Sequence, residues 1–281
     1  MLDAGLFTQP FMIHAWISGT MVAVLSAFVG FFVVVRSTSF AAHALPEAGF
    51  AGGAGAVLLG VNPVYGLAAF AVGGALLIGY LEKRGRSDAV TALTLTAALG
   101  TGALFLSLSN NYASGAYTLL FGQIVGVDSG RLVSTAVGAA VCLAGIAFLY
   151  RPLLFSTVSG DIAQARGVSV RLIEIAFLAL VGIAASVMVP VVGALLCFSL
   201  LICPTAASIY LSSTPTKVMG LSLVFSLLIV WLSIFFAYVT GLPVGFFVAM
   251  MGALLYGIAR VISRLKHRFI SVAKGIVDNG N

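Results

Sequence analysis

Residues 172–211 read LIEIAFLALVGIAASVMVPVVGALLCFSLLICPTAASIYL and contain one charged side chain, that of Glu174. A transmembrane helix needs ~20 consecutive apolar residues, so this stretch is long enough for two crossings, at 172–188 and 191–211. The rest of the chain is similar, because 61% of its 281 residues are hydrophobic and only 8% are charged. Soluble domains carry about 25% charged residues, so the composition excludes a soluble enzyme or binding module.

Seven further apolar segments lie between charge clusters and Pro/Gly breaks, at 11–35, 41–59, 63–81, 89–108, 131–150, 217–239 and 243–262. We therefore predict an all-α polytopic membrane protein with about nine transmembrane helices in one domain, 1–281. Segment 109–130 is expected to be an outer loop with a short helix. Little chain remains for an aqueous domain, so any ATPase or ligand-capture function must reside on another polypeptide.

The net charge of +6 arises from 14 basic and 8 acidic residues. With nine crossings, Arg131 is the only basic residue on its side of the membrane. Because lysine and arginine are concentrated in cytoplasmic loops, we predict an outer N-terminus and a cytoplasmic C-terminus. The basic tail, 263–281, is then cytoplasmic, and the positive charge reflects membrane topology rather than nucleic-acid binding.

The most unusual polar residues lie in RSTSFAAHALPEAGFAGGAG, at 36–55. His43 and Glu47 are four residues apart, which places both side chains on one helix face, about 6 Å apart along the axis. Ionisable groups inside a membrane are costly and usually functional. An imidazole and a carboxylate suit Zn²⁺, Mn²⁺ or Fe²⁺, so we predict a weak site on a substrate path. Alternatively, the two side chains pair with each other or satisfy backbone groups freed by Pro46.

Small residues follow this pair along the same segment. Ala48 and Gly52, like Gly49 and Gly53, are separated by four positions and form small-xxx-small pairs. Such pairs allow helix backbones to touch in lipid, so we predict that these residues pack helices and bring this segment to the middle of the assembly. Pro46 is expected to kink the same helix, because it removes one backbone hydrogen bond.

Two prolines, Pro190 and Pro204, are expected to interrupt the apolar run 189–211. Interrupted spans are tolerated where they line a cavity or pack on neighbouring helices. The candidates for the lining of a wet path are therefore Ser199, Thr205 and Ser208, with packing in the core as an equal alternative.

A polar stretch on the predicted cytoplasmic side, 159–170, reads SGDIAQARGVSV. Ser159 or Asp161 can cap a short helix that runs through Arg166, and Gly167 can end it. From the residues alone, this helix is either an ordinary interfacial loop element or a docking element for a cytoplasmic partner.

The chain has no GxxxxGK[ST] motif, so it does not bind ATP through a P-loop. It also lacks the HExxH and GxSxG motifs, and its three histidines form no set with serine and aspartate that would indicate an intramembrane hydrolase. We therefore predict a non-enzymatic carrier. One alternative mechanism is that of an ion-coupled secondary carrier in which Glu47 is the protonation site.

At this point the sequence resembles the membrane permeases of ABC importers for zinc, manganese and iron, from Phe11 to Ile262. The resemblance rests on the order and spacing of stretches 33–52 (VVVRSTSFAAHALPEAGFAG), 159–170, and 191–208 (VVGALLCFSLLICPTAAS), with a weaker Gly-Leu-Pro-x-Gly match at 241–245. Family members commonly read Gly-Asp-Ala-Leu-Ser-His where this chain reads Ala-His-Ala-Leu-Pro-Glu, at 42–47. The acid and the histidine are exchanged, so the chemistry of the pair is retained.

The resemblance implies a homodimeric permease of the vitamin-importer-like (type II) fold in the bacterial inner membrane. Its expected partners are cytoplasmic P-loop ATPase subunits, which bind the ATP, and an extracytoplasmic metal-binding protein. This chain would hold no cofactor of its own and would pass a metal ion along His43 and Glu47 at the dimer interface. Because imidazole favours zinc over manganese, zinc is the expected substrate, and a permease for a chelate or vitamin is the alternative.

The same resemblance makes segment 159–170 the expected coupling contact with the ATPase. The residues expected at this contact are Asp161, Ala165, Arg166 and Gly167.

Overall fold

The computed structural model describes residues 9–81, 87–109, 119–122, 124, 129–158, 160–167 and 169–278. In this part of the chain the helices, in order, are α1 Pro10–Val35, α2 Ser39–Leu58, α3 Pro63–Leu81, α4 Ser87–Ser107, α5 Ser129–Val158, α6 Gly160–Ala165, α7 Val170–Val192, α8 Ala194–Leu211, α9 Pro215–Thr240 and α10 Val244–Asp278. Apart from the short α6, each helix overlaps one of the nine segments predicted to cross the membrane, and segment 191–211 begins in the last turn of α7, three residues before α8. The all-α prediction is therefore confirmed.

Eight of the helices in the described ranges are long and apolar enough to cross a membrane; α2 and the short α6 do not reach this measure. His43, Pro46 and Glu47, together with the glycines of α2, lower the hydropathy of that helix. It is instead surrounded by protein, with 15 of its 20 residues buried. Helix α2 contacts α3, α4, α7 and α8.

The core of the bundle lies between α1 and the second half of the chain. Helix α1 packs on α5, α7, α8 and α9. The Phe32 ring meets the Phe31, Tyr150 and Phe177 rings edge to face, at centroid distances of 5.0, 5.8 and 6.2 Å respectively. Such edge contacts add to the van der Waals packing on which helix association in lipid depends.

The break between α7 and α8 lies at Gly193 and not at either proline. Pro190 is inside α7 and Pro204 is buried inside α8, so the prediction that they interrupt their spans was wrong. Gly193 has φ +89°, a conformation that L side chains rarely adopt. A Cβ added there would also overlap the carbonyl oxygen of Leu120, so the backbone turns at the one residue that has no side chain.

Three regions of the chain lie wholly or partly outside the described residues. Most of segment 109–130 lies outside the described residues, as do Lys83, Arg84 and Arg86. Within the predicted tail, 263–281, the backbone continues α10 as far as Asp278.

Candidate functional site

The helix that carries the predicted site starts from a tight turn after α1. The backbone N–H of Ser37 donates to Val34 O at 3.2 Å, and that of Thr38 donates to Val33 O at 3.0 Å. Ser37 has φ +58°, so a serine occupies the left-handed position at which glycine usually ends a helix. Helix α2 then begins at Ser39, and its Ala42 N–H donates to Thr38 O.

His43 and Glu47 lie one turn apart on α2 and face each other. The distance between His43 Nε2 and Glu47 Oε1 is 3.5 Å. The Glu47 side chain is 10% exposed and the His43 side chain 35% exposed, so the pair runs from the interior to the surface of the single chain. This distance is compatible with a direct interaction between the imidazole and the carboxylate, and also with both groups binding one ion.

The His43 imidazole also contacts an aromatic ring that the sequence analysis missed. The ring centroids of His43 and Phe198 of α8 are 4.6 Å apart, with 58° between the planes. The second ring nitrogen, Nδ1, is buried and has no hydrogen-bond partner among the residues that the structure describes. Buried polar atoms are nearly always satisfied, so this nitrogen is an exception among the buried atoms of the described residues.

Among the described residues, no group of three or more His, Cys, Asp or Glu side chains could hold a metal ion. As metal ligands, His43 and Glu47 would be two, whereas a closed zinc site has four. A two-ligand site binds weakly, which suits an ion that must leave again.

The glycines of α2 provide the close contact between helix backbones. A Cβ added at Gly52 would overlap the carbonyl oxygen of Gly66 in α3, and one at Gly66 would overlap that of Gly52. A Cβ at Gly49 would lie 3.4 Å from Leu67 O, and one at Gly53 would lie 3.1 Å from a Leu119 methyl group. The bulkier Pro46 lies inside the same helix and is buried.

Two of the three hydroxyl residues proposed for a wet path lie in the core; the third, Ser199, is partly exposed, with its Oγ 3.6 Å from Cys203 Sγ. Thr205 and Ser208 of α8 are both 0% exposed. Thr205 Oγ1 is 2.7 Å from Ser222 Oγ of α9, and Ser208 Oγ donates to Pro204 O at 2.7 Å. Their hydrogen bonds are made within the protein, which favours the packing interpretation.

Segment 159–170 contains the short helix α6, and Gly167 follows it with φ +79°. Ala165 and Arg166 are exposed at its end. The Arg166 guanidinium carbon lies 5.7 Å from the centroid of the Phe155 ring of α5, which holds the end of α6 against α5. The backbone of Asp161 lies in α6, and its side chain lies outside the described residues.

Residues 8–263 match the model of the ABC 3 transport family. The chain belongs to this family. The manganese transport system membrane protein MntC of Listeria innocua is 24% identical over 276 residues, which cover 98% of each chain. The high-affinity zinc uptake system membrane protein ZnuB of Haemophilus influenzae is 26% identical over 216 residues, which cover 76% of this chain and 83% of ZnuB.

The fold is also that of a solved structure, PsaBC from Streptococcus pneumoniae in complex with Fab. It matches with a TM-score of 0.81 and 23% identity, over 91% of this chain and 92% of the other. The similarity to ABC metal permeases inferred from the motifs is therefore confirmed, as is the type II ABC permease fold. As a member of the ABC 3 transport family, the chain is a membrane permease and not an enzyme.

Proposed function

We propose that this chain is the transmembrane permease subunit of an ATP-driven importer of a divalent transition metal ion. Family membership and the manganese and zinc systems among the relatives support this function. The observation that carries it is the His43–Glu47 pair, which reaches from the interior to the surface on a helix that four other helices contact.

The spacing of the pair suits one ion. Two ligands at about 2.1 Å from a tetrahedral ion lie about 3.4 Å apart. The His43 Nε2 to Glu47 Oε1 distance is 3.5 Å, so both atoms can contact one ion with little rearrangement. The carboxylate offsets part of the ion's charge as it loses water. The small number of ligands keeps binding weak enough for release.

Zinc remains the predicted substrate over manganese, because the pair includes an imidazole nitrogen. Manganese systems and a zinc system both occur among the relatives, so uptake competition between Zn²⁺, Mn²⁺ and Fe²⁺ is the direct test. If the importer instead takes up a metal chelate, the chelate would outcompete all three free ions.

The proposed assembly contains a second copy of this chain, cytoplasmic P-loop ATPase subunits and an extracytoplasmic metal-binding protein. The partly exposed His43 side chain supports a dimer interface that passes this point. The exposed end of α6 is proposed as the contact with the ATPase, through Asp161, Ala165, Arg166 and Gly167. The assembly lies in the bacterial inner membrane, with the N-terminus outside and the C-terminus in the cytoplasm.

The function is tested by ATP-driven uptake of radioactive zinc into proteoliposomes that contain the complete complex. We expect His43→Ala with Glu47→Ala to lower uptake at least tenfold, because both ligands are lost. His14→Ala replaces a histidine in α1 and is the matched control, which we expect to leave uptake near the parent value. Recovery of the ATPase subunits with each variant verifies assembly.

Unchanged zinc, manganese and iron uptake in the assembled double variant would refute the site. Uptake by this chain alone, driven by a pH gradient without ATP, would instead support a secondary carrier that uses Glu47.

A further inference from the structure

Arg36 joins two parts of the protein that are distant in sequence. It lies at the end of α1, directly before the turn into α2. Its Nη1 donates to Ser156 Oγ at 2.8 Å, to Thr157 Oγ1 at 3.0 Å and to Leu153 O at 3.4 Å. All three acceptors lie in the last two turns of α5, so one guanidinium group fixes the α1–α2 turn to the end of α5.

The same guanidinium group is held by α7. Its central carbon lies 5.8 Å from the centroid of the Phe177 ring. Burial lowers the pKa of Arg36, and the nearby charge of Glu174 raises it. Arginine is not deprotonated in proteins, so the hydrogen bonds of this side chain are charge-assisted.

The turn after Arg36 is short and internally bonded. The two backbone hydrogen bonds from Ser37 and Thr38 to the end of α1 leave it little freedom. Helix α2 begins at Ser39, so His43 lies four residues, a rise of about 6 Å, into this helix. A displacement of Arg36 is therefore passed on to the start of α2 and to His43, which lies about one turn into that helix.

The other end of this connection is the proposed coupling helix. Helix α6 begins at Gly160, just after α5 ends at Val158. Arg166 lies over the Phe155 ring, one residue before Ser156, and Ala163 of α6 is 0% exposed. The end of α6 therefore packs on the turn of α5 that binds Arg36.

We propose that Arg36 is a positioning residue that makes the turn before α2 follow the movement of α5 and α6. Movement of α6 would thus change the position of His43 and Glu47 through a continuous set of contacts. The inference rests on the proposed function of α2 as the metal helix and of α6 as the ATPase contact.

The first test measures metal ions imported per ATP hydrolysed by the complete complex in proteoliposomes. We expect Arg36→Gln to lower this ratio at least tenfold while ATP hydrolysis persists, because the ATPase no longer moves α2. Arg36→Lys keeps the charge and one donor group, so we expect it to restore part of the ratio.

Arg171→Gln is the matched control. Arg171 Nη2 donates to Tyr80 O at 2.8 Å, and its guanidinium carbon lies 5.7 Å from the Tyr80 ring centroid. It makes the same two kinds of contact between α7 and α3 without touching the turn before α2. We expect this variant to keep the parent ratio, and an equal loss in both glutamine variants would overturn the proposal.

A second variant leaves Arg36 in place and removes two of its acceptors. We expect Ser156→Ala with Thr157→Val to lower the number of metal ions imported per ATP hydrolysed, but by less than Arg36→Gln does. The smaller effect is expected because Leu153 O remains available as an acceptor. If this variant and Arg36→Gln both import as many metal ions per ATP as the parent complex, the contact between Arg36 and α5 does not couple α5 to α2.

A measurement independent of metal uses spin labels at Phe40 of α2 and Val158 of α5, which are 37% and 77% exposed. In the parent complex we expect one narrow distance distribution that is the same with and without ATP. In Arg36→Gln we expect a broader distribution that differs between the two states, and an unchanged one would overturn the proposal. If the parent complex imports no metal, the proposed function fails, and these distances still decide the role of Arg36.

Discussion

Helices α2 and α4 lie side by side but have opposite surroundings. They are 20 and 21 residues long, and both are rich in alanine and glycine. Helix α2, which carries the His–Glu pair, has 15 buried residues, whereas 22% of the crossing segment of α4 is buried. The more polar helix is the inner one. In lipid, apolar side chains gain nothing from burial, so close backbone contact and polar groups decide which helix is central.

The glycines of the two helices show the same contrast. A Cβ at Gly52 of α2 would overlap the backbone of Gly66, whereas a Cβ at Gly100 of α4 would have nothing within 4 Å. Glycine is therefore required by packing at the first position and not at the second.

The largest expected effect comes from Gly52→Leu compared with Gly100→Leu. The first change forces α2 away from α3 along a backbone contact, so we expect little monodisperse protein after detergent extraction. The second adds a side chain in open space and should leave the yield and the elution profile unchanged. A comparable defect in Gly100→Leu would show that α4 packs against another protein surface.

A smaller effect is expected from Leu45→Ala compared with Leu93→Ala. Leu45 of α2 is 0% exposed and Leu93 of α4 is 72% exposed. A cavity at Leu45 should cost about 2–5 kcal/mol, because the surrounding helices cannot collapse fully. Lipid fills the space at Leu93, so we expect less than about 1 kcal/mol there. Thermal unfolding in one detergent measures both, and equal shifts in melting temperature would contradict the comparison.

The smallest effect on stability is expected from Pro46→Ala. The alanine restores a backbone N–H in α2 and leaves the neighbouring helices in place, so we expect a change of at most about 1 kcal/mol. Metal uptake should fall a few-fold, because Pro46 lies between His43 and Glu47 and is expected to bend the helix that carries them. Uptake at the parent level would show that the pair tolerates a straighter helix.

Several structural features could be predicted from the sequence. The nine apolar segments coincide with the long helices, because a bilayer-length apolar run leaves the backbone no partner except its own carbonyl groups. The four-residue spacing of His43 and Glu47 fixed their shared face, and Gly167 indicated the end of the short helix α6. These features depend on local geometry alone.

Other features depend on contacts between distant residues. Pro190 suggested a break in α7 that occurs instead at Gly193, where the backbone of residues 120–122 lies against it. Phe198 of α8 contacts the His43 ring, and Ser156 accepts a hydrogen bond from Arg36, which is more than one hundred positions away in the sequence. No spacing in the sequence indicated these partners.

The sequence by itself determined that this protein is a helical membrane protein, with a histidine and an acid one turn apart on one helix. These properties follow from hydropathy and from the 3.6-residue period of a helix. Only the tertiary structure decided that α2 is an inner helix, that Glu47 is shielded while His43 reaches the surface, and that Arg36 ties their helix to α5. Helix order in lipid is set by which backbones fit together, and that fit arises between segments far apart in the chain.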